Sequence, residues 1–188
     1  MDKPRCSWVT KDPIYIEYHD EEWGKLTYFD NDHYLFEILT LEGAQAGLSW
    51  LTILKRREDY RAAFAQFDPA IVATFEEADI ERIIKETNVI RNRMKLMSTV
   101  KNAQVVLDIQ REFGTFSQYL WQFVGEKQII NEWQTEAEVP TDTALSKALS
   151  LDLKKRGCSF VGPVICYAYL QAIGLVQDHT ADCFLYKK

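Results

Sequence analysis

The alternation of apolar and polar positions follows the period of a helix along most of the chain. Between residues 33 and 47, Leu35, Ile38, Leu39, Glu42 and Ala46 fall on one stripe at three- and four-residue spacing, which predicts a helix with that stripe turned inward. Asp68-Pro69 reads as a cap followed by proline at the first helical position. Thr74 with Glu77 has the form of a capping box and opens a helix through Ile84. A longer helix is expected from about Arg91 to Arg111, and a short one over Phe116 to Phe123. Leu145, Leu149 and Leu153 recur every four residues on a helix that Gly157 would stop. Gly162-Pro163 then starts another, over VICYAYLQAI, which Gly174 ends. The two-residue alternation of strands is sustained nowhere, so the expectation is an all-α fold.

The stretch from 144 to 174 has the shape of a helix, a short turn RGCSFVG and a second helix. Two helices joined by a tight glycine-containing hairpin can offer backbone N–H groups to a phosphate, but an ordinary helical corner has the same shape.

Composition narrows the class. With 188 residues, 47% hydrophobic and 13% aromatic, the chain can bury a real core as one domain, or as one split into two lobes. No apolar run has the length of a membrane span, and the opening MDKPRCSWVTKD is too polar for a secretory signal, so a cytoplasmic protein with no membrane partner is expected. The formal charge of −6 argues against binding nucleic acid through overall charge. Three local basic clusters permit it: Lys55-Arg56-Arg57, Arg91 with Arg93 and Lys95, and Lys154-Lys155-Arg156.

Four cysteines in such a chain suggest free thiols or metal ligands rather than a disulfide framework. Cys6 and His19 lie near the N-terminus, His179 and Cys183 near the C-terminus, and His-x-x-x-Cys brings two side chains to one face. Two thiolates and two imidazoles suit a tetrahedral zinc ion; the alternative is that each residue serves separately without metal. Four protein ligands would fill the shell and leave no position to activate water, making such an ion structural. His33 has no partner pattern and reads as a surface residue at a helix start.

Glu42 sits in the middle of an apolar stripe. Desolvating a carboxylate costs several kcal/mol, so a buried glutamate belongs either to a structural ion pair or to a site. Its neighbours Gly43, Ala44, Ala46 and Gly47 are small, and Trp50 follows one short turn later. Trp8, Tyr15, Tyr18 and Trp23 cluster in sequence around Cys6 and His19. They make either ordinary core or a stacking pocket for a flat ligand.

Taken together, CSW (Cys6 to Trp8), YHDEEWG (Tyr18 to Gly24), LFEILTLEGAQAGLSW (Leu35 to Trp50), KKRGCSFVGPVICY and HTADC (His179 to Cys183) resemble the DNA-3-methyladenine glycosylase I family over nearly the whole chain. The resemblance implies a single helix-hairpin-helix glycosylase domain over 1–188, with two helical lobes and termini tied by zinc through Cys6, His19, His179 and Cys183. It implies Glu42 as the key acid of a base pocket with Tyr18 and Trp50, neighboured by Trp8, Tyr15 and Trp23. Gly47 and Leu48 match the wedge that fills the stack left by the damaged nucleotide. The implied activity is hydrolysis of the N-glycosidic bond of 3-methyladenine in alkylated double-stranded DNA, with free 3-methyladenine as product; a monomer is the simplest expectation. The run GKLTYFDND lacks the proline common after EWG in the family, so the loop over 24–32 is not carried over. Related glycosylases place a catalytic aspartate after the second hairpin helix; Asp178 lies there, but beside His179, and is assigned no catalytic role. No lysine is placed as a nucleophile, so no lyase activity is expected. Two rivals remain: a zinc-tied module that recognises damaged DNA without cutting it, and a hydrolase working through zinc-activated water.

Overall fold

The helix expected near residue 33 becomes the axis of the molecule. In the computed structural model, which describes residues 3–186, α2 (Asp32–Gln45) follows α1 (Pro13–Glu17) and opens at Asn31, whose side chain accepts from the N–H groups of His33 and Tyr34. Every residue from Tyr34 to Ala44 is buried, so the inward stripe is in fact the whole cylinder, as befits a helix enclosed on all sides. Ala46, expected on the buried stripe, lies exposed just past the helix end. His33 is exposed at the first turn, as the sequence suggests.

The shell around this axis follows in chain order. A π-helical turn, Tyr18–Glu22, extends α1. Ser49 caps α3 (Trp50–Leu54) by accepting from Thr52 N–H, and α4 (Arg57–Ala63) follows. Asp68 and Pro69 open α5 (Pro69–Val72) as expected. The capping box of α6 (Glu77–Glu86) is built by Glu76 and Asp79 rather than by Thr74 and Glu77. The Thr74 hydroxyl instead donates back to the Ile71 carbonyl at 2.7 Å, closing the preceding turn. α7 (Arg93–Phe113) is the long helix, begun by Asn92, whose side chain accepts from Lys95 N–H. α8 (Phe116–Trp121) is shorter than expected because Gln122–Val124 tighten into a 3-10 turn.

α9 (Ala144–Arg156) and α10 (Pro163–Ala172) form the expected helix-turn-helix, bounded by Gly157 and by Gly162-Pro163. Its turn docks on α7 and α2. Asn102 exchanges two hydrogen bonds with the Ser159 backbone, at 2.9 and 3.0 Å, and Phe160 lies over Gly43, where an added Cβ would meet it at 3.2 Å.

The chain is not purely helical. β1 (Ile129–Ile130) pairs in parallel with β2 (Val176–Gln177), Ile129 opposite Val176. Two-residue strands are too short to write an alternating pattern, so the sequence carries no trace of them. Just before β2, Gly174 adopts φ +83°, and a Cβ there would run into the Lys25 carbonyl. That close approach pins the loop over 24–32, whose Phe29 is buried against the Trp121 ring, centroids 4.8 Å apart. The two ends of the chain also meet, Phe184 N–H donating to the Pro4 carbonyl at 2.9 Å. Among the described residues no helix is long and apolar enough to cross a membrane.

Candidate functional site

A cavity of about 240 Å³ opens where the N-terminal segment, the π-turn, α2, α3 and α10 converge. Sites for drug-sized ligands run about 300–1,000 Å³, so this one suits a single flat ring system. Trp8, Tyr15, Tyr18, Trp23, Glu42 and Trp50 all line it, which brings together every base-pocket residue expected from the sequence. The π-turn supplies the spacing: Trp23 N–H donates to the Tyr18 carbonyl five residues back at 2.9 Å, a wide turn that presents both rings to the cavity. Tyr18 meets Trp50 with centroids 5.4 Å apart, and Trp8 packs on Tyr15 and Trp23 at 5.2 and 5.0 Å.

Glu42 faces this aromatic box without a hydrogen-bonding or ionic partner among the described residues, although only 4% of it is exposed. Burial pushes its carboxyl up to about 8. Burial, and then the charge of Glu42, also raise the Tyr18 hydroxyl. Glu37, one turn earlier on the same helix, is the contrast: it is buried but accepts from Arg57 and from Arg61. Of the two alternatives for a buried acid, then, Glu37 takes the ion pair and Glu42 the cavity.

The remaining wall leaves little trace in the sequence. Gln171 comes from α10, a helix read as apolar, where a lone glutamine was the only available signal. Glu136 and Val139 come from the stretch between β1 and α9, where the sequence has no helical or strand period and a 3-10 turn forms. Asp178 also reaches the wall, but both its oxygens are taken. Asn131 and Trp133 donate to Oδ1 at 2.7 and 2.9 Å, and Tyr167 and Gln171 to Oδ2, both at 2.6 Å. It joins the β1 segment to α10.

Behind the aromatic box, Cys6, His19, His179 and Cys183 are all buried, with ligand atoms within 4.8 Å of one another. Cys183 Sγ lies 3.4 Å from His19 Nε2 and 3.5 Å from His179 Nδ1, and Cys6 Sγ lies 3.5 Å from the same Nδ1. A tetrahedron with bonds of about 2.0–2.3 Å has edges of about 3.3–3.8 Å, so these three pairs match its edges and the donor set suits one four-coordinate ion. The far nitrogen of His19 pairs with Asp20 at 2.8 Å, and Arg5 grips that carboxylate at 2.7 and 2.8 Å, fixing the ring in the manner of an outer ligand shell. Hydrogen bonding from Cys6, then from the two histidines, draws the Cys183 thiol down.

Gly47 and Leu48 lie in the turn between α2 and α3; Gly47 has φ +83° and Leu48 is 41% exposed. Four of the nine residues in the basic clusters are held in ion pairs, Lys55 with Asp12 among them. Arg57 is buried between Glu22 and Glu37, Arg93 meets Glu77 and Glu81, and Arg156 meets Glu112 and Asp152. Arg91, Lys154 and Lys155 stay exposed and outside any ion pair among the described residues.

Comparison with known proteins places nearly the whole chain beside one family. The profile of the methyladenine glycosylase family matches residues 8–186. DNA-3-methyladenine glycosylase 1 of Escherichia coli (strain K12) is 47% identical over 182 residues, 97% of this chain and 96% of that protein. DNA-3-methyladenine glycosylase of Haemophilus influenzae is 50% identical over 179 residues, 95% of this chain and 96% of that protein. A solved structure of 3-methyladenine DNA glycosylase I from Staphylococcus aureus, concerned with 3-methyladenine recognition, superposes with a TM-score of 0.93 at 40% identity, covering 98% of this chain and 97% of that one. With matches of this extent, the chain belongs to the methyladenine glycosylase family.

Proposed function

We propose that this protein excises 3-methyladenine from alkylated DNA by hydrolysing its N-glycosidic bond, and that the cavity holds the extruded base. One observation carries the reading: a buried acid with no partner among the described residues, Glu42, set in an aromatic box the size of a single purine. Relatives named for this activity at 47–50% identity support it.

The chemistry follows from the charge of the substrate. Adenine methylated at N3 is cationic while bonded to the sugar, so the C1′–N9 bond can break with its electron pair passing to N9. The base leaves neutral, an oxocarbenium-like sugar remains, and water adds to C1′ and gives up a proton. Such a leaving group needs no strong acid; the site needs to hold and select the cation. Trp50 stacked on the base contributes a cation–π term of about 0.5–2 kcal/mol. A Glu42 carboxylate accepting from the base edge contributes about 1.5–3 kcal/mol. Free of ligand, burial keeps the acid largely protonated at neutral pH; an arriving cation favours the ionised form. Neutral adenine gains less from each contact, which is discrimination by difference. Tyr18 adds a polar contact, and Trp8, Tyr15 and Trp23 complete the wall. The four donors on Asp178 support a bracing role rather than a catalytic one.

The base reaches the cavity by leaving the duplex, at a cost of a few kcal/mol. Leu48, exposed on a turn that Gly47 shapes, is suited to wedge into the gap, and the α9–α10 hairpin with Lys154 and Lys155 to meet the phosphates. We assign a zinc ion to Cys6, His19, His179 and Cys183. The filled shell makes its contribution structural, and the two ends of the chain are what it would fasten. We take the protein to act as a monomer on double-stranded DNA.

Incubation with methylated duplex DNA, followed by chromatography of released bases, tests the proposal. Free 3-methyladenine is expected. Tight binding to the lesion without release would instead identify a recognition module.

A further inference from the structure

The carbonyls that end α2 are held by a cation from another helix. Lys95 Nζ donates to the Ala44 carbonyl at 2.8 Å and to the Ala46 carbonyl at 2.6 Å. The last carbonyls of a helix lack partners within it and carry the negative end of its dipole, so an ammonium there is well placed for α2. For its own helix it is badly placed. Lys95 stands in the first turn of α7, where a positive charge opposes the dipole, and burial lowers its affinity for the proton. Cost to α7 and gain at α2 meet at the peptide that leads into Gly47 and Leu48. The turn is otherwise lightly held: Leu48 N–H donates to the Gln45 carbonyl at 2.6 Å, and a Cβ on Gly47 would find no heavy atom within 4 Å.

We propose that Lys95 is a positioning residue for DNA opening, its ammonium fixing the turn that aims Leu48 at the stack. The inference rests on Leu48 acting as the wedge. Two of the three N–H donors of Lys95 are committed to carbonyls, which distinguishes it from the exposed Lys154 and Lys155. Without the ammonium, the Ala44 and Ala46 carbonyls turn to water and the turn samples several orientations. Glu42 lies on α2 ahead of the turn and Trp50 is buried in α3 after it, so loosening the exposed turn between them is expected to disturb base binding less than it disturbs a gap held open in the duplex.

Single-turnover excision from duplex DNA carrying 3-methyladenine, with free 3-methyladenine binding followed by tryptophan fluorescence, tests this in Lys95→Met, Lys95→Arg, Leu48→Ala and the Lys95→Met/Leu48→Ala pair. Lys95→Met is expected to slow excision at saturating enzyme about tenfold, with free-base affinity unchanged within about twofold, Lys95→Arg restoring most of the rate, and no further loss when Leu48 is already alanine. Melting temperatures identify any variant that fails to fold, and Lys95→Gln then replaces Lys95→Met in both the single and the double variant, with the same outcomes expected. Independent, multiplying losses in the double variant would overturn the proposal. So would an unchanged rate at saturation with a binding salt slope shallower by about one, since that is the signature of a phosphate contact. Wild-type excision by Leu48→Ala would remove the wedge itself, and the role of Lys95 with it.

Discussion

Glu37 and Glu42 stand five residues apart on one helix, equally starved of water, yet only Glu37 is given arginines. The carboxyl of Glu42, raised to about 8, binds its proton more tightly folded than unfolded. Its contribution to stability is therefore full below the ordinary carboxylate range near 4.5 and is lost as pH rises towards 8. Glu42→Gln removes this titration. The variant should gain stability over the parent as pH is raised from 5 to 8, by up to roughly 4 kcal/mol, while excision falls at least about tenfold. Denaturant melts across that range check the first part; a stability difference that does not change with pH would contradict the buried, unpaired acid. Gly43 poses a packing problem instead. Alanine is the better helix former by about 1 kcal/mol, but crowding a packed contact costs about 1–3 kcal/mol. Since an added Cβ meets both the side chain and the backbone carbonyl of Phe160 at 3.2 Å, Gly43→Ala should lower the melting temperature.

Elements whose ends carry a strong local signal are legible in the sequence, and those decided by side-chain choice among near neighbours are not. Asp68-Pro69 and Gly162-Pro163 fix their helices because proline admits few backbone conformations. Thr74 with Glu77 and Glu76 with Asp79 offer two capping pairs whose registers differ by two residues, and the fold uses Glu76 with Asp79. The loop over 24–32 was illegible because its clasp, Gly174, is remote in sequence; Gly174→Ala combines a disfavoured φ with a backbone clash and should cost at least about 1–3 kcal/mol, read by thermal melting. In the basic clusters, ion pairing with Glu22, Glu37, Glu112 and Asp152 consumes charges that residue type alone leaves available. At the hairpin, Lys154 and Lys155 remain. Replacing both with glutamine should make the dependence of DNA affinity on salt shallower by about two phosphate contacts, with little effect on free-base binding. An unchanged slope would remove the hairpin from the DNA interface.

At the scale of the molecule, the cavity and the cysteine–histidine cluster are neighbours, because Trp23 packs edge-on against His179 at 4.7 Å and His19 against Trp8 at 5.3 Å. Folding energy supplied by a metal at the cluster would thus stiffen one wall of the cavity. Cys183→Ser, or chelation, should lower the melting temperature and the bound zinc together, and lower excision only as the fold loosens; zinc measured by atomic absorption with unchanged melting would contradict a tie between the ends. The hydrogen bond from Phe184 to Pro4 shows that the ends meet through the chain itself as well. The sequence by itself determined the helical class, the anomaly of Glu42, the four thiol and imidazole donors and the aromatic set, because each depends on residue type and short-range periodicity. Only the tertiary structure decided which buried acid lacks a partner, which cations remain free, that α2 is enclosed on every side, and that Gln171 and Asp178 share the cavity wall. Those are contacts between residues far apart in the chain, and local pattern carries no record of which distant side chain neutralises, covers or approaches another.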